Sequence, residues 1–282
     1  MNAGEIRIDA LLPPEMALRA EYLGVRKAEA PLLATFTLAL LAGAFISLGA
    51  VFSTTVAAGA SGVVPYGIVR LLAGLVFTVG LVLVIVGGAE LFTGNNLIVM
   101  AWAGRKVSSR GMLRNWGVVY AGNFVGAIGT VVLVFVSRQY TFGGGSVGTT
   151  ALATAAAKVD YGFVQALALG VLCNALVCLA VWLTFTARST IDRIAAIILP
   201  IAAFVAAGFE HSIANMYFIP IGLFIKGFDP SFTAASGVDV SRLTWQSFLL
   251  ANLLPVTVGN IIGGAVLVAA VYWFVFLHRS ER

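Results

Sequence analysis

Gly208-Phe209-Glu210-His211-Ser212-Ile213-Ala214-Asn215-Met216 sets a glutamate, a histidine and an asparagine inside an otherwise apolar run from 191 to 225. That run exceeds the about 20 residues with which a helix crosses a roughly 30 Å hydrocarbon core. A second long run, 66–103, carries a matching interruption from Glu90 to Asn96. In both, a glutamate precedes an asparagine by five residues, Glu90 to Asn95 and Glu210 to Asn215. Polar side chains at such depth are expected where a helix is broken and its backbone lines protein or a water-filled cavity. The two runs therefore read as broken membrane-spanning helices.

Working outward, four further apolar runs, 31–59, 113–137, 162–187 and 245–277, complete an all-α polytopic membrane protein with six spans. With 60% hydrophobic and 10% charged residues and a mean hydropathy of +0.99, a soluble domain is excluded. Stretches such as Leu81 to Val86 do not alternate apolar with polar, which excludes a membrane β-barrel. The net charge of +5 does not point to nucleic acid, because the basic residues sit in short segments between spans, where they set orientation. With both termini inside, twelve lie on the cytoplasmic side: Arg7, Arg19, Arg26, Lys27, Arg105, Lys106, Arg110, Arg114, Arg188, Arg193, Arg279 and Arg282. Arg70, Arg138, Lys158, Lys226 and Arg242 make five outside, so cytoplasmic termini are expected. Residues 1–30 carry charges throughout and lack the apolar stretch of a secretory leader. Cys173 and Cys178 lie on one predicted helix with side chains roughly 140° apart and do not bridge. No metal-ligand cluster emerges, and no cofactor is expected.

The spans divide into halves, about 31–137 and 162–277, that resemble each other. Gly122-Asn123-Phe124-Val125-Gly126 is matched by Gly259-Asn260-Ile261-Ile262-Gly263, and the Glu–Asn pairs of the broken spans correspond. Three crossings per half make the repeat an inverted one. Glycines four apart allow helix backbones to approach closely, so both motifs are expected at helix contacts. Residues 1–30 form a cytoplasmic lead-in whose Pro13–Ala30 portion suits either an interfacial helix or a solvated segment. Residues 278–282 form a short tail, and 31–277 a single transmembrane domain.

Glu90, Glu210 and His211 are the ionisable groups deep within the spans, where each costs at least about 2.5 kcal/mol unless it faces a cavity or a partner. The glutamates suit carboxylates that tie up backbone N–H groups freed at the breaks. His211 can donate, accept or change protonation near neutral pH, which suits direct handling of a solute. Phe92-Thr93-Gly94-Asn95-Asn96 is turn-like, and Thr93 can offer its hydroxyl and its backbone. Lys158, preceding the fourth span with Asp160, reads equally as an anion-concentrating group at a pore mouth or as a snorkelling interfacial lysine.

Gly88-Ala89-Glu90-Leu91-Phe92-Thr93-Gly94, Leu172-Cys173-Asn174-Ala175-Leu176-Val177-Cys178 and the 208–216 segment resemble the formate/nitrite transporter family over essentially the whole chain. The resemblance implies an aquaporin-like bundle of inverted repeats with helices two and five broken. It implies a homopentamer in the cytoplasmic membrane of a bacterium or archaeon, each subunit carrying a small monovalent anion, formate first, alone or with a proton. By position, His211 is similar to the family's central histidine, Thr93 to the threonine of its loop, Asn174 to an asparagine near that histidine, and Lys158 to a vestibule lysine. Phe77, Leu81, Leu91, Phe92, Val177 and Phe204 fall at its apolar constrictions. Gly94-Asn95-Asn96 departs from the small hydroxyl residues common in formate channels, leaving nitrite or hydrosulfide open as substrates.

A bare anion pays heavily to enter an apolar constriction, whereas its neutral acid pays far less. Protonation near His211, or hydrogen bonding by it, would lower that barrier. Broken inverted halves also suit an aquaglyceroporin-type channel, but the chain has no Asn-Pro-Ala pair. An intramembrane enzyme using Ser212 and His211 is disfavoured because chain neighbours rarely meet as nucleophile and base.

Overall fold

In the computed structural model, which describes residues 10–278, six helices are long and apolar enough to cross a membrane. They are α2 (Leu32–Ala57), α3 (Tyr66–Gly87), α5 (Ser109–Val136), α7 (Phe163–Thr184), α8 (Thr190–Ala207) and α11 (Ser247–Phe276). Arg7, Arg279, Arg282 and residues 279–282 of the tail lie outside the described residues. Two of the anticipated spans are interrupted. After α3 the chain turns through residues 88–93 into a 3-10 segment, Gly94–Ile98, and the short α4 (Val99–Ala103). After α8 it turns through 208–211 into α9 (Ser212–Phe228). Two π-helical stretches, Ser247–Leu253 and Ile262–Ala270, run within α11.

Both lead-in segments are structural. α1 (Pro13–Glu29) buries Met16, Ala17, Ala20, Gly24 and Ala28 at helical spacing, against α4 and the 3-10 segment. α6 (Ser146–Val159), in a stretch left without structure by the sequence reading, buries Val147, Ala151, Leu152 and Ala155 against α9. At the opposite end of α9, the short α10 (Pro230–Ser236) was likewise not anticipated.

The G-N-x-x-G glycines sit where backbones meet. A methyl group on Gly126 would strike the Leu40 carbonyl of α2, and one on Gly263 the Val171 carbonyl of α7; Gly122 and Gly259 face Phe36 and Leu167 in the same way. Small residues at these crossings bring α5 onto α2 and α11 onto α7, so that Asn123 and Asn260 reach the two breaks.

Candidate functional site

Each break begins with a glycine. Gly88 and Gly208 close α3 and α8 at φ of 79° and 78°, a left-handed conformation that only glycine adopts without strain. Two residues on, the amide of Glu90 donates to the Leu38 carbonyl at 3.2 Å and that of Glu210 to Leu169 at 3.3 Å. The remaining freed groups are taken by the asparagines. Asn123 donates to the carbonyls of Ala39 (2.7 Å) and Glu90 (2.9 Å) and accepts from the Phe92 amide (3.0 Å). Asn260 donates to Gly170 (2.8 Å) and Glu210 (3.0 Å) and accepts from Ser212 (2.9 Å). The expectation that the glutamate side chains tie up backbone N–H groups is thus corrected. A buried amide supplies both donor and acceptor, which a broken helix requires and a carboxylate lacks.

The glutamates instead anchor two closed rings of side chains. Lys27 Nζ donates to Glu90 Oε1 (2.6 Å), Asn95 to Glu90 Oε2 (2.7 Å) and to Asn115 (2.9 Å), and Asn115 back to the Lys27 carbonyl (3.0 Å). In the second ring Lys158 Nζ donates to Glu210 Oε1 (2.6 Å), Asn215 to Glu210 Oε2 (2.7 Å) and to Asn252 (2.7 Å), and Asn252 to the Lys158 carbonyl (2.8 Å). Lys158 therefore neither snorkels nor stands free at a mouth. Glu210 is buried, and Lys158 supplies the counter-charge that a carboxylate at such a position needs. Lys27, Asn115 and Asn252 were missed from sequence. The signal was present, since Asn115 precedes Asn123 by eight residues as Asn252 precedes Asn260.

Between the rings the breaks touch. His211 caps α9: its Nδ1 accepts the Ala214 amide at 3.0 Å, and its Nε2 lies 3.1 Å from Thr93 Oγ1. With Nδ1 accepting, the proton of the neutral ring is assigned to Nε2, which donates to Thr93. The Thr93 carbonyl is occupied by Asn174 and Cys178, each at 3.3 Å, so the hydroxyl is what Thr93 has to offer a solute. Asn174 also donates to Asn96 (2.9 Å) and to the Asn260 carbonyl (2.7 Å), so it braces the loop and the α11 backbone, with no hydrogen bond to His211.

Two cavities that share no lining residue lie at the two breaks: Leu91 and Gly94, which flank Thr93 in the chain, line one, and His211 lines the other. One, about 350 Å³, is lined by Lys27, Glu90 and Asn95, with Leu81 and Leu91. The other, about 220 Å³, is lined by Lys158, Glu210, Asn215 and His211, with Phe77 and Phe204. Phe204 stacks beside the imidazole with ring centres 5.7 Å apart and meets Phe77 edge-on at 5.7 Å. Val177 is buried and lines neither cavity. Phe92 packs edge-on against Trp116 and Tyr120, beside a lateral groove lined by α5 and α11.

The Formate/nitrite transporter family model matches residues 14–274. The "Formate channel FocA" of Escherichia coli (strain K12) is 45% identical over 278 residues, 97% of each chain. The "Probable formate transporter" of Methanothermobacter thermautotrophicus is 38% identical over 280 residues, 94% of this chain and 97% of that one. Among solved structures, a "Pentameric formate channel with formate bound" superposes with a TM-score of 0.81 at 46% identity, covering 87% of this chain and 98% of its own. An "FNT family ion channel" gives 0.78 at 28% identity, covering 93% and 98%. With a family match over nearly its whole length and six helices fit to cross a bilayer, this integral membrane protein belongs to the formate/nitrite transporter family.

Proposed function

We propose that each subunit carries formate between the two cavities past the Thr93–His211 contact, and that five subunits assemble as in the pentameric formate channel it resembles. The observation that carries the reading is that contact. Two helix breaks from opposite halves of the chain bring a hydroxyl and an imidazole within 3.1 Å, between two cavities and beside apolar side chains. A small carboxylate leaving either cavity exchanges water for the Thr93 hydroxyl and for the Nε2–H of His211, whose partner is otherwise the Thr93 oxygen. Phe77 and Phe204 on one side, and Leu81 and Leu91 on the other, exclude the water that would otherwise compete.

Of the two roles open to the histidine, hydrogen bonding is favoured. A proton arriving on Nδ1 would displace the Ala214 amide and uncap α9, so the neutral ring is the form that this local structure holds. Asn174, Asn95 and Asn215 act as braces, and Lys158 as the partner of Glu210. In this proposal residues 1–30 and 278–282 are cytoplasmic, 31–277 form one transmembrane domain of inverted halves in a bacterial or archaeal cytoplasmic membrane, and the solute passes without chemical change. The two similar rings, one at each cavity, are what the inversion would produce.

Purified protein in liposomes tests this with labelled formate and, in parallel, nitrite and hydrosulfide, with and without an imposed pH gradient. Formate uptake with the solute recovered unchanged is expected. Liposomes that pass none of the three anions above the protein-free leak, or that convert formate, would contradict it.

A further inference from the structure

The charged side chains lining each cavity do not cancel. The α6-side cavity has Arg70 and Lys158 against Glu210, two positive and one negative, a net of +1. The α1-side cavity has Arg19, Lys27 and Arg193 against Glu90, three positive and one negative, a net of +2. Each lysine is locked to its glutamate at 2.6 Å, and a pair that close presents a dipole rather than a charge to an approaching ion. The excess charge on both sides therefore belongs to arginines.

Arg70 stands in α3, and its guanidinium reaches across to the end of α8. Nε donates to the Ala206 carbonyl at 3.3 Å and Nη2 to that of Val205. The C-terminal end of a helix carries a partial negative charge of about half a unit, which holds the guanidinium without neutralising it. Among the described residues no carboxylate pairs with Arg70, and Nη1 makes no hydrogen bond. The side chain is half-buried in the wall of the cavity that ends at Phe204 and His211. At the other cavity Arg193 has no side-chain partner among the described residues, and Arg19 has only the Phe185 carbonyl at 3.3 Å.

We infer that Arg70 is the anion-recruiting site of the α6-side mouth. It takes a small monovalent carboxylate on the free edge of its guanidinium before the anion meets the Phe77–Phe204 constriction. The paired Lys158 does not do this. The planar fork of Arg matches a carboxylate, and its charge acts through the mouth over a distance set by ionic strength. Arg193 and Arg19 serve the opposite mouth. The inference rests on the anion-transport reading, and wild-type flux is the control that separates the two.

The test is initial formate uptake into liposomes against formate concentration, at 0.01 and 0.1 M of an impermeant salt, where screening lengths are about 30 Å and about 10 Å. Wild type, Arg70→Gln and Arg70→Lys are compared at matched incorporation. Arg70→Gln is expected to raise the half-saturating concentration about fivefold at low salt, the worth of one unit charge at about 4 Å in water, with the maximal rate kept. At 0.1 M the difference should narrow, and Arg70→Lys should restore most of it. Half-saturation equal to wild type at both salts would overturn the inference, as would a salt-independent fall in maximal rate that Lys fails to rescue, the mark of a helix-end support only. If Arg70→Gln does not assemble, Arg193→Gln, which removes no hydrogen bond among the described residues, carries the same test from the other side. An unchanged low-salt half-saturation there would overturn the inference equally. Wild type without flux would instead sink the transport reading itself.

Discussion

Lys158 Nζ lies 2.6 Å from Glu210 Oε1 across 52 residues of chain, with the two side chains 14% and 2% exposed. The pair joins α6 to the break between α8 and α9, and Lys27 with Glu90 joins α1 to the other break at the same distance. Two helices outside the six spans thus lock the segments that carry Thr93 and His211. The ionic groups near the site act first as fasteners.

Removing one partner should therefore cost stability before it costs transport. Lys158→Ala leaves Glu210 buried without its counter-charge, a loss of about 3–5 kcal/mol. Lys158→Met combined with Glu210→Gln should recover most of it, because Gln can still meet Asn215 and Asn252. Thermal unfolding in detergent measures this. A Lys158→Ala variant as stable as wild type would show that the pair is not a fastener.

Asn260→Leu is predicted to be more harmful than its conservative size suggests. It strands the carbonyls of Gly170 and Glu210 and the amide of Ser212, at about 1–3 kcal/mol for each buried group left unpaired. Asn123→Leu should behave alike at the first break. Variants that unfold like wild type would mean that the backbone at the breaks finds other partners.

At the corner joining α9 to α10, Asp229 accepts from the Phe232 amide (3.1 Å), Ser231 (2.8 Å) and Tyr140 (2.8 Å). The amide bond, followed by the two hydroxyl bonds, holds its carboxyl below the ordinary range. A carboxylate depressed in the folded state contributes stability above its unfolded pKa and loses it as pH falls through the folded value. Hydrogen exchange at Phe232 should therefore rise once pH drops below the usual aspartate range, while exchange at the Asn123-capped Phe92 amide does not. Equal protection of Phe232 through that window would contradict the assignment.

How much of this was legible in the sequence varies from residue to residue. The broken spans were, because Glu90 and Glu210 have no place in a lipid-facing helix, and so was the meeting of Thr93 with His211, because the interruptions correspond. The glycine contacts were legible from their spacing of four. α6 was not: its fourteen residues, rich in Ala and Thr, are too short to span and follow the three turn-forming glycines 143–145. Asn115 and Asn252 were legible only as a pair, through their shared spacing of eight to Asn123 and Asn260, because a single asparagine in a membrane helix looks the same whether it closes a ring or faces a headgroup. Phe92 was placed with Leu91 at the apolar constrictions through the family resemblance, yet adjacent residues in a turn point in different directions: Leu91 lines a cavity, whereas Phe92 joins Trp116 and Tyr120.

The most direct test of the central claim is formate flux through His211→Phe in liposomes from pH 5 to 8, at incorporation matched to wild type. His211→Asn serves as the companion that keeps a side-chain acceptor for the Ala214 amide. Phenylalanine removes the Nε2–H offered beside Thr93 and gives up the cap, worth about 1 kcal/mol, so the protein should still fold. The account predicts that His211→Phe loses most formate flux across the whole range. Flux equal to wild type from pH 5 to 8 would contradict it and place the path of the anion elsewhere.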